Sequence, residues 1–150
     1  MKKLLKSILL AGMVSLAGAA AASAADVRLT IQNSSAKVIY IDAVPVCTGC
    51  TASSASSIAS GSSGISTATA NSGVTSITYS TDYSNYFGTS FIEKGCRATI
   101  TLELAGGIIT NILGYSWLAY TGNPSCTTNS SPQITSGGTR VTWGVRFNAS

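Results

Sequence analysis

No histidine occurs among the 150 residues. That removes the commonest general base and metal ligand at neutral pH, and with it any Ser-His or Cys-His nucleophile. Charge is also scarce, at 9 % of residues, and aromatic residues make up 7 %. No charged side chain lies between Asp42 and Asp82, or between Glu103 and Arg140. The solubility of those stretches rests on Ser, Thr, Asn and Gly. There is no glycine-rich phosphate loop and no EF-hand calcium loop, so no cofactor and no metal are expected.

One apolar run stands out, at the start. Lys2, Lys3 and Lys6 precede Ile8 to Ala22, and Ala22-Ser23-Ala24 follows. A basic segment, a short apolar segment and an A-x-A site are the pattern of a bacterial export signal. The run is rich in Ala and Gly and shorter than the roughly 20 residues of a membrane span. The reading is a signal peptide over 1–24, cut after Ala24 or Ala25, with a single β domain over 25–150. Export through the inner membrane would then deliver the protein to the periplasm, the cell surface or the medium.

Cleavage changes the charge argument. The formal charge is +4, but the three leading lysines leave with the signal. Six basic residues then face five acidic ones, a net of +1. A nucleic-acid partner needs several phosphate contacts, so none is expected.

The remaining chain reads as strands. Val27, Leu29 and Ile31 alternate with Arg28, Thr30 and Gln32, the period of a half-buried strand. Asn33-Ser34-Ser35 supplies turn chemistry, and Lys37 to Val44 predicts a returning strand that ends at Pro45. Ala98, Ile100, Leu102 and Leu104 define one face of another strand. Ala105-Gly106-Gly107 predicts a hairpin, with Ile108 to Tyr120 returning and bulged near Gly114. Thr121 to Gln133 reads as loop, and Val141, Trp143, Val145 and Phe147 share a face of the last strand. The fold class expected is all-β, an antiparallel sandwich or small barrel of about seven or eight short strands.

Thr51 to Gly73 differs from the rest. Its 23 residues comprise nine Ser, five Ala, three Thr, three Gly, two Ile and one Asn. Such a composition predicts a flexible loop or a weak edge strand.

Four cysteines in an exported chain make two disulfides, in one of three pairings. A redox role for Cys47-Thr-Gly-Cys50 would need the first cysteine to open a helix, and the following Thr-Ala-Ser-Ser has no amphipathic period. The favoured pairing is Cys47 with Cys50 and Cys96 with Cys126; a crossed pairing through Cys96 competes with it.

Chemistry is hard to find. Asp82 and Glu93 would serve as a glycosidase pair only if folding placed them about 5–9 Å apart, so an enzyme is not expected. Two binding features remain. Tyr79 to Phe87, "YSTDYSNYF", interleaves aromatics with Asp82, Ser84 and Asn85. Asp82, Tyr83, Asn85 and Tyr86 are the candidate ligand-binding residues, as an exposed loop suited to a glycan or other cell-surface ligand. The second feature is the Ser-rich tract, which resembles hairpins that membrane-active toxins insert. "SSASSIASGSSG" carries too few large apolar side chains for a lipid face, so membrane contact is not expected. The expected function is non-enzymatic surface binding, adhesion or extracellular assembly, with a secreted toxin-like β protein as the alternative. A homo-oligomer is compatible with this sequence.

Overall fold

The computed structural model describes residues 24–86 and 93–149, and for Tyr86 the backbone alone. Among the described residues, eleven strands form two sheets packed face to face, a disulfide-stabilised β-sandwich. They are β1 (Asp26–Asn33), β2 (Ile39–Ile41), β3 (Val46–Thr48), β4 (Cys50–Ser54), β5 (Ser57–Ile58) and β6 (Ser63–Ala70). β7 (Ser76–Tyr86), β8 (Glu93–Ala105), β9 (Ile108–Thr121), β10 (Ser125–Thr135) and β11 (Arg140–Asn148) complete the order. Sheet A runs β10-β11-β1-β6-β4, and sheet B runs β5-β2-β7-β8-β9 with β3 also paired to β7.

The period-2 segments behave as their pattern dictates. Val27, Leu29 and Ile31 of β1 face Val141, Trp143, Val145 and Phe147 of β11 in one buried layer. Ile77, Tyr79, Ala98, Ile100 and Leu102 form the opposing layer from β7 and β8. The β8–β9 hairpin turns at Gly106 and Gly107, with φ of 60° and 81°. Two consecutive positive φ values are what a type I′ hairpin needs, and glycine adopts them without a Cβ clash. β9 bulges at Leu113, where Gly114 pairs with Thr101 and Ile112 with Leu102.

Three expectations are corrected. β1 does not pair with β2; it lies parallel to β11 and antiparallel to β6, and β2 crosses to the other sheet. Asn33 makes that crossing. Its side chain is buried, donates to the carbonyls of Ile58 at 2.9 Å and Lys37 at 2.7 Å, and accepts from Ser35 N–H at 3.0 Å. The Ser-rich tract, expected as a flexible loop or a weak edge strand, is mostly strand: β4 and β5 lie at sheet edges, while β6 lies inside sheet A. Small side chains suit it to this position, because Ser54, Ser66 and Ala68 face the large rings of the opposite sheet. Thr121 to Gln133 is mostly β10, also an edge strand, where Pro132 and two register shifts interrupt pairing. The strand number agrees with the sequence: eight strands have five or more residues, and β2, β3 and β5, of two or three residues, bring the described total to eleven.

Both disulfides join the two sheets. Cys47 of β3 bridges Cys50 of β4 across a Cα separation of 5.3 Å. Between them Gly49 turns with φ of 74°, and a Cβ there would lie 2.7 Å from the Ser76 carbonyl oxygen. Cys96 of β8 bridges Cys126 of β10 at 5.9 Å. The uncrossed pairing is therefore the one present, and Cys47-x-x-Cys50 is a covalent corner.

Candidate functional site

The segment expected to be an exposed recognition loop is the end of β7, in the middle of sheet B. Alternation sends its residues to opposite faces. Tyr83 points inward, is fully buried, and donates its hydroxyl to the Ala55 carbonyl at 2.7 Å. It belongs to the core and is not an exposed ligand contact. Beside it, Tyr79, Thr81, Ser54 and Ser66 form a hydroxyl network between the sheets, including Tyr79 to Ser54 at 3.2 Å. Asn85 is half-buried and donates to the Val38 carbonyl, so it ties β7 to the chain before β2. The side chain of Tyr86 lies outside the described residues, as do Phe87 and Phe91.

Asp82 points the other way, onto the outer face of sheet B, yet only 11 % of its side chain is exposed. Its cover is Arg97 on the paired strand. The guanidinium donates to both carboxylate oxygens, at 2.7 and 2.6 Å. This planar two-point contact holds Arg97 protonated, raising its pKa further. Arg97 also stacks 5.2 Å from the centroid of the Tyr120 ring. That ring rests against Gly95, where a Cβ would come within 2.5 Å of it. Tyr120 donates its hydroxyl to Asp42 at 2.6 Å, anchoring the start of the 42–46 strap. Burial first, and then this hydrogen bond, raise its pKa.

Glu93 accepts a hydrogen bond from Ser84 at 2.6 Å. It lies four residues from Arg97, the partner of Asp82, along β8. Its carboxylate thus reaches a side chain only two residues from Asp82 on the same face of β7. Among the described residues no three His, Cys, Asp or Glu side chains converge as a metal site.

A shallow cleft of about 310 Å³ opens beneath the strap, lined by Ala43, Val44, Val46, Ser80, Asp82 and Arg97. Val44 is 87 % exposed and Val46 65 %. Beyond it, two cross-strand rows carry hydroxyls. Val46, Ser80, Thr99 and Ser116 are in register, as are Thr48, Thr78, Thr101 and Gly114. Within these rows Ser80 bonds Thr99 and Thr78 bonds Thr101, each at 3.2 Å. Of the proposed binding residues whose side chains are described, only Asp82 reaches this surface. Val44, Val46 and Arg97 carried no local signal, because their approach depends on which strands are neighbours. A larger cavity, about 420 Å³, lies at the sandwich end by the β6–β7 and β8–β9 turns. Its walls are small or apolar residues such as Ala25, Ala70, Val74 and Leu104.

The buried phenol of Tyr83 sets an alkaline limit. Its pKa is pushed up from 10 to about 12, by burial first and then by Tyr79. The unfolded chain therefore releases this proton at lower pH than the folded one. Stability is complete below pH 10 and is lost as pH rises through 12, by roughly 2–3 kcal/mol for this group. Urea unfolding between pH 9 and 12 should show a shallower decline in Tyr83→Phe than in the parent. Identical slopes would refute the assignment.

Two inter-sheet disulfides and an extended mixed pairing of β1 define the chain as a disulfide-clamped β-sandwich. No family model and no curated protein matches the sequence. No helix among the described residues is long and apolar enough to cross a membrane.

Proposed function

We propose that this is an exported, non-enzymatic binding protein whose recognition surface is the strap cleft and hydroxyl rows of sheet B. The ligand class is an uncharged glycan. One observation carries the reading: exposed Val44 and Val46 overhang a rigid Asp82–Arg97 pair and open directly onto rows of Ser and Thr. A sugar ring presents an apolar C–H face and peripheral hydroxyls, and needs both kinds of partner side by side. Because the ion pair and sheet are already ordered, little conformational entropy is lost on binding.

Export is supported by the leading segment and by two disulfides, which persist in oxidising compartments. Cleavage after Ala24 fits the fold better than cleavage after Ala25. Ala25 is buried, and its carbonyl accepts the Ala70 N–H at 2.8 Å.

The test is a neutral-glycan array followed by titration of any hit. Val44→Asp should weaken binding roughly tenfold, the scale of one good interface contact, and leave the melting temperature unchanged. Absence of any neutral-glycan hit, with dye release from anionic liposomes, would replace this reading with the membrane-active one.

A further inference from the structure

The charges of the sandwich are sorted by face. Alternation along β1 and β11 turns Asp26, Arg28, Arg140 and Arg146 outward from sheet A, a net of +2. The outer face of sheet B carries Asp42, Asp82, Glu93 and Glu103 against Arg97, a net of −3. We propose that the outer face of sheet A is a second binding surface, a track for a linear acidic polysaccharide with Arg28 as its central anchor.

Three observations support this. The first is spacing. Arg28 is in register with Thr142, two residues from Arg140 and four from Arg146 on the adjacent strand. Strand geometry places its Cα roughly 8 Å from that of Arg140 and roughly 14 Å from that of Arg146. The three guanidinium groups thus follow one line along the β1–β11 pair, as repeated acidic groups on an extended chain require.

The second is availability. Arg140 is held by Asp26 at 2.9 Å, and Arg146 uses Nε on Gln32 at 3.2 Å, which leaves its terminal nitrogens open. The Arg28 side chain makes no hydrogen bond or ion pair among the described residues, and it is exposed. An arginine offers a planar fork that takes a carboxylate or sulfate at two points.

The third is the ground between the cations. Gly144, opposite Thr30, lacks a side chain and leaves a depression of about 320 Å³ beside Arg28. Thr30, Thr142 and Ser130 bring hydroxyls to its walls. Those groups match sugar hydroxyls. No aromatic side chain points outward from β1, β6 or β11 for a nucleobase to stack on, and base stacking is what single-stranded nucleic-acid sites use.

This surface is separate from the strap cleft, so the two readings fail independently. The mature chain would be titrated with polygalacturonate and dextran sulfate, which separate carboxylate from sulfate, and with neutral dextran and a single-stranded oligonucleotide. Binding to one or both acidic polymers is expected, weakening as salt rises. Arg28→Gln should weaken it at least tenfold and Arg146→Gln several-fold, with unchanged melting temperatures. Val44→Asp should have no effect on it. The proposal is overturned if neither acidic polymer binds, if dextran binds equally, or if Arg28→Gln binds like the parent. Oligonucleotide binding of equal strength and equal Arg28 dependence would overturn it in favour of a general polyanion surface.

Discussion

Tyr83→Ala is expected to cost about 3–5 kcal/mol of stability, the range for truncating a buried aromatic side chain. The ring has no exposed surface and sits between the sheets, below the Ser54–Ser66–Tyr79 network. Removing it opens a cavity lined by side chains that two disulfide-clamped sheets cannot bring together. It also leaves the Ala55 carbonyl without its phenol donor. Tyr83→Phe keeps the ring and loses that hydrogen bond, so a penalty of about 1 kcal/mol is expected. Tyr40→Ala is the control, since Tyr40 is half exposed on the outer face of the same sheet. Chemical denaturation of the three variants tests the order. A loss at Tyr83→Ala no larger than that at Tyr40→Ala would place the ring outside the core.

Removing the Cys96–Cys126 bridge should cost roughly 3–4 kcal/mol, against roughly 1–2 kcal/mol for Cys47–Cys50. The reason is loop length. The first closes a separation of 30 residues and the second only three, so the longer bridge removes more conformational freedom from the unfolded chain. Burial adds to the difference, because Cys96 is fully enclosed. Paired Cys→Ala replacements, compared by guanidinium unfolding, measure the two terms. Equal losses would mean that the short bridge acts mainly by holding the folded corner at Gly49.

Patterning made much of the core legible. In β1, β8 and β11 the alternate apolar residues are the buried ones, since a strand with one wet face has no other way to hide them. The glycine pair at 106–107 marked a hairpin for an equally local reason. The candidate site was far less legible. In "YSTDYSNYF" the polar residues resemble turn formers, yet Asp82, Ser84 and Asn85 find Arg97, Glu93 and the Val38 carbonyl across strand boundaries. Those partners lie 9 to 47 residues away. A window of neighbours cannot register them.

By itself, then, the amino-acid sequence determined the class of fold and the inward face of its strongest strands, both of which depend on local alternation. Spacing favoured the uncrossed cysteine pairs, and the fold selected them over the crossed arrangement. Tertiary structure alone decided that β1 lies between β11 and β6, that the Ser-rich tract forms sheet, and that Tyr83 is interior while Asp82 faces out. It also decided that cations gather on one face and carboxylates on the other. These outcomes depend on which strands become neighbours. That choice follows from the combined burial of both sheets, in which small Ser and Ala side chains gain a place only because large rings stand opposite them.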